Sequence, residues 1–128
     1  MKMNKAVYDT RFFAELFYSA TESFNKRILE HKSKDKFISA VVIHEIYRLA
    51  LKREGRETAK LKVALIEKDF KVISLDKSIA QLSAELRHKY NLSMGDSMIA
   101  ATAASLSAVC VTDDPHFKQI KEIETAWI

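Results

Sequence analysis

Short apolar runs alternate with longer stretches of helical periodicity along most of the chain. Lys5-Ala-Val-Tyr8 is an apolar run ending at Asp9 and predicts a strand. From Thr10 the spacing turns helical, with Phe13, Leu16 and Phe17 on one face. Thr21 or Ser23 caps an expected second helix carrying Phe24, Ile28 and Leu29, which dissolves into the charged stretch from His31 to Lys36. Phe37-Ile38 leads to Ser39, an N-cap for a helix with Val42, Ile43, Ile46, Tyr47, Leu49 and Ala50 as its apolar positions and Gly55 as its stop. Another helix is expected over 57–68, and a strand over 71–74. Asp76 then caps a helix with Ile79, Leu82 and Leu86 in register. Ser93-Met-Gly-Asp96 opens an Ala-rich helix running to about Leu106. Ala108-Val-Cys-Val111 is a strand, Pro115 starts a short helix through Ile120, and Thr125-Ala-Trp-Ile128 is a candidate edge strand.

Strands that are short, apolar and separated by helices predict a mostly parallel sheet covered on both faces, an α/β three-layer sandwich. At 128 residues, with no linker or repeat, one domain is expected. No apolar run reaches the roughly 20 residues of a membrane span. The basic opening, Met1-Lys2-Met3-Asn4-Lys5, is followed by Asp9, Arg11 and Glu15 rather than by a signal-peptide core, so a cytoplasmic location is expected. The single cysteine, Cys110, excludes an internal disulfide and a Cys-rich zinc site. Two glycines, at 55 and 95, cannot write a phosphate-binding fingerprint. The net charge of +4 is compatible with a polyanionic partner without requiring one.

The chemistry is concentrated in acids. In open α/β sheets, ligands sit beyond the carboxyl ends of the strands. Asp9 follows the first strand there, and Asp113 and Asp114 follow the strand at 108–111. Asp96 lies in the first turn of an apolar helix, and Glu45 sits between Ile43 and Ile46 inside another. Carboxylates gathered in one pocket repel one another unless a cation neutralises them. Oxygen donors without cysteine suit Mg²⁺ or Mn²⁺, and two such ions about 4 Å apart can hydrolyse a phosphodiester. Each acid also has a plainer reading. Asp9 suits a turn or cap, Ser93-x-x-Asp96 a capping box, Glu45 a pair with Arg48, and Asp113-Asp114 a turn before Pro115.

Four segments, taken in order, resemble the PIN-domain family, and especially the VapC-type toxin ribonucleases of bacteria and archaea. They are Val7-Tyr8-Asp9-Thr10, the helix Ser39-Ala-Val-Val-Ile-His-Glu45-Ile, the stretch Leu92-Ser-Met-Gly-Asp96-Ser-Met-Ile-Ala-Ala-Thr-Ala103, and Val111-Thr-Asp-Asp114-Pro-His-Phe117. The resemblance implies a PIN-like sandwich and an Mg²⁺- or Mn²⁺-dependent endoribonuclease. Asp9, Glu45, Asp96 and Asp114 are then the catalytic metal ligands, Asp113 a competing ligand for the last place, and Thr10 and Thr112 supporting neighbours. It also implies an RNA substrate, a small antitoxin partner and a homodimer. Two departures stand out: His116 replaces a further acid before the final Phe, and Arg11 replaces a small polar residue after the first Asp.

A PIN nuclease of RNA processing without an antitoxin is the near alternative. A receiver-like signalling module, with a phospho-accepting Asp76 after a middle strand, is the distant one. The four histidines, 31, 44, 88 and 116, show no zinc spacing, although His116 suits a phosphate. Cys110 is expected in the core. Arg48, Lys52, Arg53, Arg56, Lys60 and Lys62 form a basic stretch that is either a solvated face or an RNA-backbone track. Phe12, Phe13, Phe17 and Tyr18 crowd the first helix beyond the needs of one inward face, which suggests a partner surface.

Overall fold

The computed structural model describes residues 5–19 and 35–127. The expected helix from Thr21 or Ser23, His31, the residues before Lys5, and Ile128 lie outside them. Among the described residues, five parallel strands form one sheet: β1 (Lys5–Tyr8), β2 (Asp35–Ser39), β3 (Lys71–Ile73), β4 (Val109–Val111) and β5 (Thr125–Ala126), in the order β3-β2-β1-β4-β5. Helices flank it in a three-layer α/β sandwich. The sheet is wholly parallel, and β2 is a strand where the sequence pattern marks only a charged stretch running into Phe37-Ile38. Only Ile38 and Ser39 of β2 are buried, and its apolar residues are just Phe37 and Ile38.

Short helix α1 (Thr10–Ala14) runs on into a π-helical turn, Glu15–Ser19. Core packing accounts for two of the four crowded aromatics. Phe12 and Phe13 are both buried, and they join Tyr8 and Phe70 with ring centroids 4.7 to 6.2 Å apart, Trp127 lying 6.4 Å from Phe12. Tyr18 is clasped by Arg53 and Lys62, at 4.6 and 3.9 Å from its ring centre.

Helices α2 (Ala40–Glu54) and α3 (Arg56–Asp69) are separated by Gly55 alone, whose φ of 92° permits the abrupt change of direction. Helix α4 (Lys77–Tyr90) starts at Asp76, which accepts from Ile79 N at 2.8 Å. Helix α5 (Met94–Leu106) is the buried one. Ala100, Ala101 and Ala103 let it lie close to the sheet. Its hydroxyls are satisfied locally, Thr102 donating to Met98 O at 2.8 Å, and Ser83 donating to Ser97 across from α4 at 3.0 Å. Cys110 is fully buried in β4. Among the described residues no helix is long and apolar enough to cross a membrane.

Strand order sets the position of the site. The chain proceeds outward from β1 to β2 to β3, then returns to place β4 on the other side of β1. The reversal lies between β1 and β4, and such a switch point opens a crevice at the strands' carboxyl ends. Asp76 follows β3 at the opposite edge, where it serves as a helix cap, so the receiver-like arrangement is absent.

Candidate metal centre

Asp9 extends the pairing of β1 and β4 by one step, its N–H donating to Val111 O at 3.2 Å. It is thereby set beside Thr112. Its Oδ1 accepts from Phe12 N at 3.2 Å as the N-cap of α1, and its Oδ2 accepts from Thr112 Oγ1 at 2.5 Å. The cap reading of Asp9 is therefore correct, and it coexists with a place at the switch point. Only 2% of Asp9 is exposed. Burial pushes its carboxyl up from 3.8 to about 6, against the pull of those two hydrogen bonds.

Asp96 is in the first turn of α5, its N–H donating to Ser93 Oγ at 3.2 Å. Burial raises its pKa, and the neighbouring Asp114 and Glu45 carboxylates raise it further. Glu45 comes from α2. It does not pair with Arg48; Thr10 Oγ1 donates to its Oε1, and its Oε2 lies 2.8 Å from where a Cβ on Gly95 would stand. A side chain at 95 would collide with that carboxylate, so the glycine is what lets Glu45 reach the turn carrying Asp96. Sequence reasoning missed Gly95 because its φ is unremarkable and only the space above it is special.

Asp113 and Asp114 part company. Asp114 Oδ1 accepts from His116 N at 2.9 Å and lies 2.9 Å from His116 Nδ1. Its own N–H donates to Thr112 Oγ1 at 3.0 Å. One donor atom each from Asp96, Asp114 and His116 lie within 4.8 Å of one another. Asp113 instead faces Arg11, accepting from Nε at 2.5 Å and Nη2 at 3.2 Å. The guanidinium holds the Asp113 carboxyl below the usual carboxylate range. His116, for which the sequence favours a surface or structural role with phosphate contact as the other reading, stands beside Asp114.

The donor set fits a hard divalent ion. The acids come from four segments, Thr10 and Thr112 brace Glu45 and Asp9, and buried Asp9 and half-buried Asp96 both resist ionisation in a way that a bound cation would relieve. The basic stretch divides. Arg53 and Lys62 are engaged with Tyr18, whereas His44, Arg48 and Lys52 line an open groove of about 730 Å³ together with Glu45.

The model of the PIN domain family matches residues 6–123. The chain belongs to the PIN domain family. Among solved structures, the VapBC complex of Rickettsia felis bound to a promoter DNA fragment aligns with this PIN domain at a TM-score of 0.82 and 18% identity, covering 97% of this chain and 98% of that one. A toxin–antitoxin complex from Klebsiella pneumoniae aligns at 0.75 and 26% identity, covering 96% and 99%. A sarcin–ricin-loop-cleaving VapC toxin of Mycobacterium tuberculosis aligns at 0.75 and 19%, covering 93% and 98%. No curated protein sequence matches the chain.

Proposed function

We propose that this PIN domain protein is a metal-dependent endoribonuclease and the toxin of a type II toxin–antitoxin pair. The observation that carries the proposal is the convergence of Asp96 and Asp114 with His116, with Glu45 reaching the turn of Asp96 and Asp9 joined to Asp114 through Thr112. Asp9, Glu45, Asp96 and Asp114 are the metal ligands. Asp113, committed to Arg11, leaves the set, and His116 joins its rim. The ion is Mg²⁺ or Mn²⁺. The structural likeness to toxin–antitoxin complexes supports an antitoxin partner, and a homodimer and a cytoplasmic setting belong to the same proposal.

When bound, the ion supplies Lewis acidity to the phosphodiester and makes water a usable nucleophile near neutral pH. The chain's residues hold that chemistry in place. Thr112 fixes one oxygen of Asp9 and, through its oxygen, the backbone of Asp114. Thr10 fixes Glu45, and Ser93 anchors the turn of Asp96. Arg48 and Lys52, one helical turn apart and exposed, give the approaching RNA backbone a cationic path toward Glu45.

The test is cleavage of a panel of single-stranded and structured RNAs by purified protein with Mn²⁺, Mg²⁺ or EDTA, beside Asp96→Asn. Cutting that needs metal and is lost in the variant is expected. Cutting that persists in EDTA, or in Asp96→Asn, refutes the assignment.

A further inference from the structure

Next to the acids, on the β5 side, lies a cavity of about 110 Å³ lined by Arg11, Ala14, Glu15, Ser19, Asp113 and Trp127. At about 30 Å³ for each water molecule it has room for three or four, the scale of one flat heterocycle. Its position follows from the sheet. Thr112 N donates to Ala126 O at 2.8 Å, so Trp127 stands one strand across from Thr112 at the carboxyl end of the sheet. Asp113, a lining residue, is the immediate neighbour of Asp114.

The walls are chemically distinct from the metal centre. Trp127 is half-buried and braced edge-on against Phe12, with 78° between the rings, which gives a fixed aromatic wall. Arg11 has Nε and Nη2 committed to Asp113, while its Nη1 has no partner among the described residues. The Glu15 carboxylate likewise has no hydrogen-bond partner among them, its backbone N–H alone being engaged, with Arg11 O and Phe12 O. The cavity therefore offers an aromatic wall, carboxylate acceptors and a guanidinium donor held in a set orientation.

We propose that this cavity is a base-binding subsite for the nucleotide beside the scissile phosphate, favouring bases that carry an exocyclic amino group over uracil. The inference rests on the endoribonuclease reading. Base stacking on an aromatic side chain contributes about 1–3 kcal/mol and tolerates any base. Hydrogen bonding supplies the choice: adenine, cytosine and guanine each present an amino donor beside an acceptor, matching a carboxylate next to a guanidinium. Uracil also sets an N–H donor between carbonyl acceptors, but its single imino N–H can serve only one of the two carboxylates, Glu15 and Asp113, whereas an amino group carries two N–H donors and can serve both. Arg11, the departure from the family's small residue at this place, forms the wall between cavity and acids.

Trp127 is the only tryptophan in the chain, which makes its fluorescence a direct report on the cavity. The full-length protein in EDTA is titrated with AMP, CMP, GMP and UMP, and with ribose 5-phosphate, exciting at the red edge of the indole band. Saturable quenching by AMP, CMP and GMP, weaker by UMP and absent with ribose 5-phosphate, is expected. Arg11→Ala is expected to raise the apparent Kd on the order of tenfold, one good hydrogen-bonded pair. Arg11→Lys, which keeps the charge without the planar fork, is expected to fall between.

No quenching by any nucleotide, an equal response to ribose 5-phosphate, an unchanged Kd in Arg11→Ala, or UMP binding as well as CMP would each overturn the proposal. Because the titration uses no metal and no cleavage, its failure is separable from that of the nuclease reading. An RNA panel cut normally by a protein that binds no base refutes the subsite alone. Bases bound by a protein that cuts no RNA refute the nuclease and leave a nucleotide site.

Discussion

Asp9 is held in a place that opposes its own charge, and replacing it with asparagine measures by how much. Its carboxyl is raised from 3.8 to about 6 by burial. At about 1.4 kcal/mol for each tenfold in acidity, keeping it ionised in the metal-free fold costs about 3 kcal/mol near pH 8. The sign follows from the direction of the shift. Where the folded pKa is the higher one, the folded state binds the extra proton, and its stability declines as pH rises through about 6. Near pH 5 the same carboxyl costs only about 1.6 kcal/mol, because it is then largely protonated. In Asp9→Asn the amide oxygen can still accept from Phe12 N and the amide nitrogen can donate to Thr112 Oγ1. The variant should therefore be about 2–3 kcal/mol more stable than wild type near pH 8 in EDTA, the gap narrowing by about 1.4 kcal/mol near pH 5. Urea unfolding at both pH values reads this directly, and comparing the proteins at each pH cancels the histidines. Adding Mn²⁺ at 100 times its Kd should stabilise wild type by about 2.7 kcal/mol and leave the variant nearly unmoved. A variant that is equally or less stable near pH 8, or a gap that ignores pH, refutes the argument.

Gly95→Ala should gain a few tenths of a kcal/mol from helix propensity, yet it sets a Cβ 2.8 Å from Glu45 Oε2. RNA cleavage should fall by tenfold or more with the fold intact by circular dichroism; unchanged activity would show that Glu45 is not needed there. Asp114→Asn should lower Mn²⁺ affinity by at least about tenfold in calorimetry, whereas Asp113→Asn, which loses only the exposed Arg11 pair, should change it little. The reverse ranking would move the ligand role to Asp113. Thr112→Val removes a hydrogen bond that lowers the Asp9 pKa, so proton competition should set in at higher pH. Mn²⁺ affinity measured against pH should therefore decline from a higher pH than in wild type, and a coincident profile would deny Thr112 that role.

Much of the frame was legible because its signals are local. Ser39, Asp76 and Ser93 all cap the elements assigned to them, and Gly55 ends α2 as its residue type suggests. β2 was not legible. It is an interior strand, but Asp35 is exposed, Lys36 and Phe37 are half-buried and Ser39 is a polar cap, so Ile38 is its one buried apolar residue. The π-helical turn after α1 was also hidden, since helical periodicity does not announce an added residue per turn. Among the acids, order along the chain identified candidates, but what separates Asp113 from Asp114 is the contact with Arg11, about 100 residues away in sequence and 2.5 Å from Asp113 in space.

The two threonines show why the site resists local reading. Thr10 follows Asp9, yet it holds Glu45; Thr112 precedes Asp113, yet it holds Asp9. Each hydroxyl braces an acid from another segment, so the bracing is written across the chain. Short-range reasoning can name the acids and still misplace their support. The cross-bracing also fixes what the fold gives up. Thr112 and Phe12 N tether Asp9 where burial opposes its charge, and Gly95 admits Glu45 beside an Asp96 already crowded by Asp114. A chain selected only for stability would relax that arrangement with a neutral residue, which is why the sign of the Asp9→Asn effect bears on function. A more stable asparagine variant that no longer responds to Mn²⁺ is the behaviour of a site strained toward a cation, and a cap kept for stability alone gives the opposite sign.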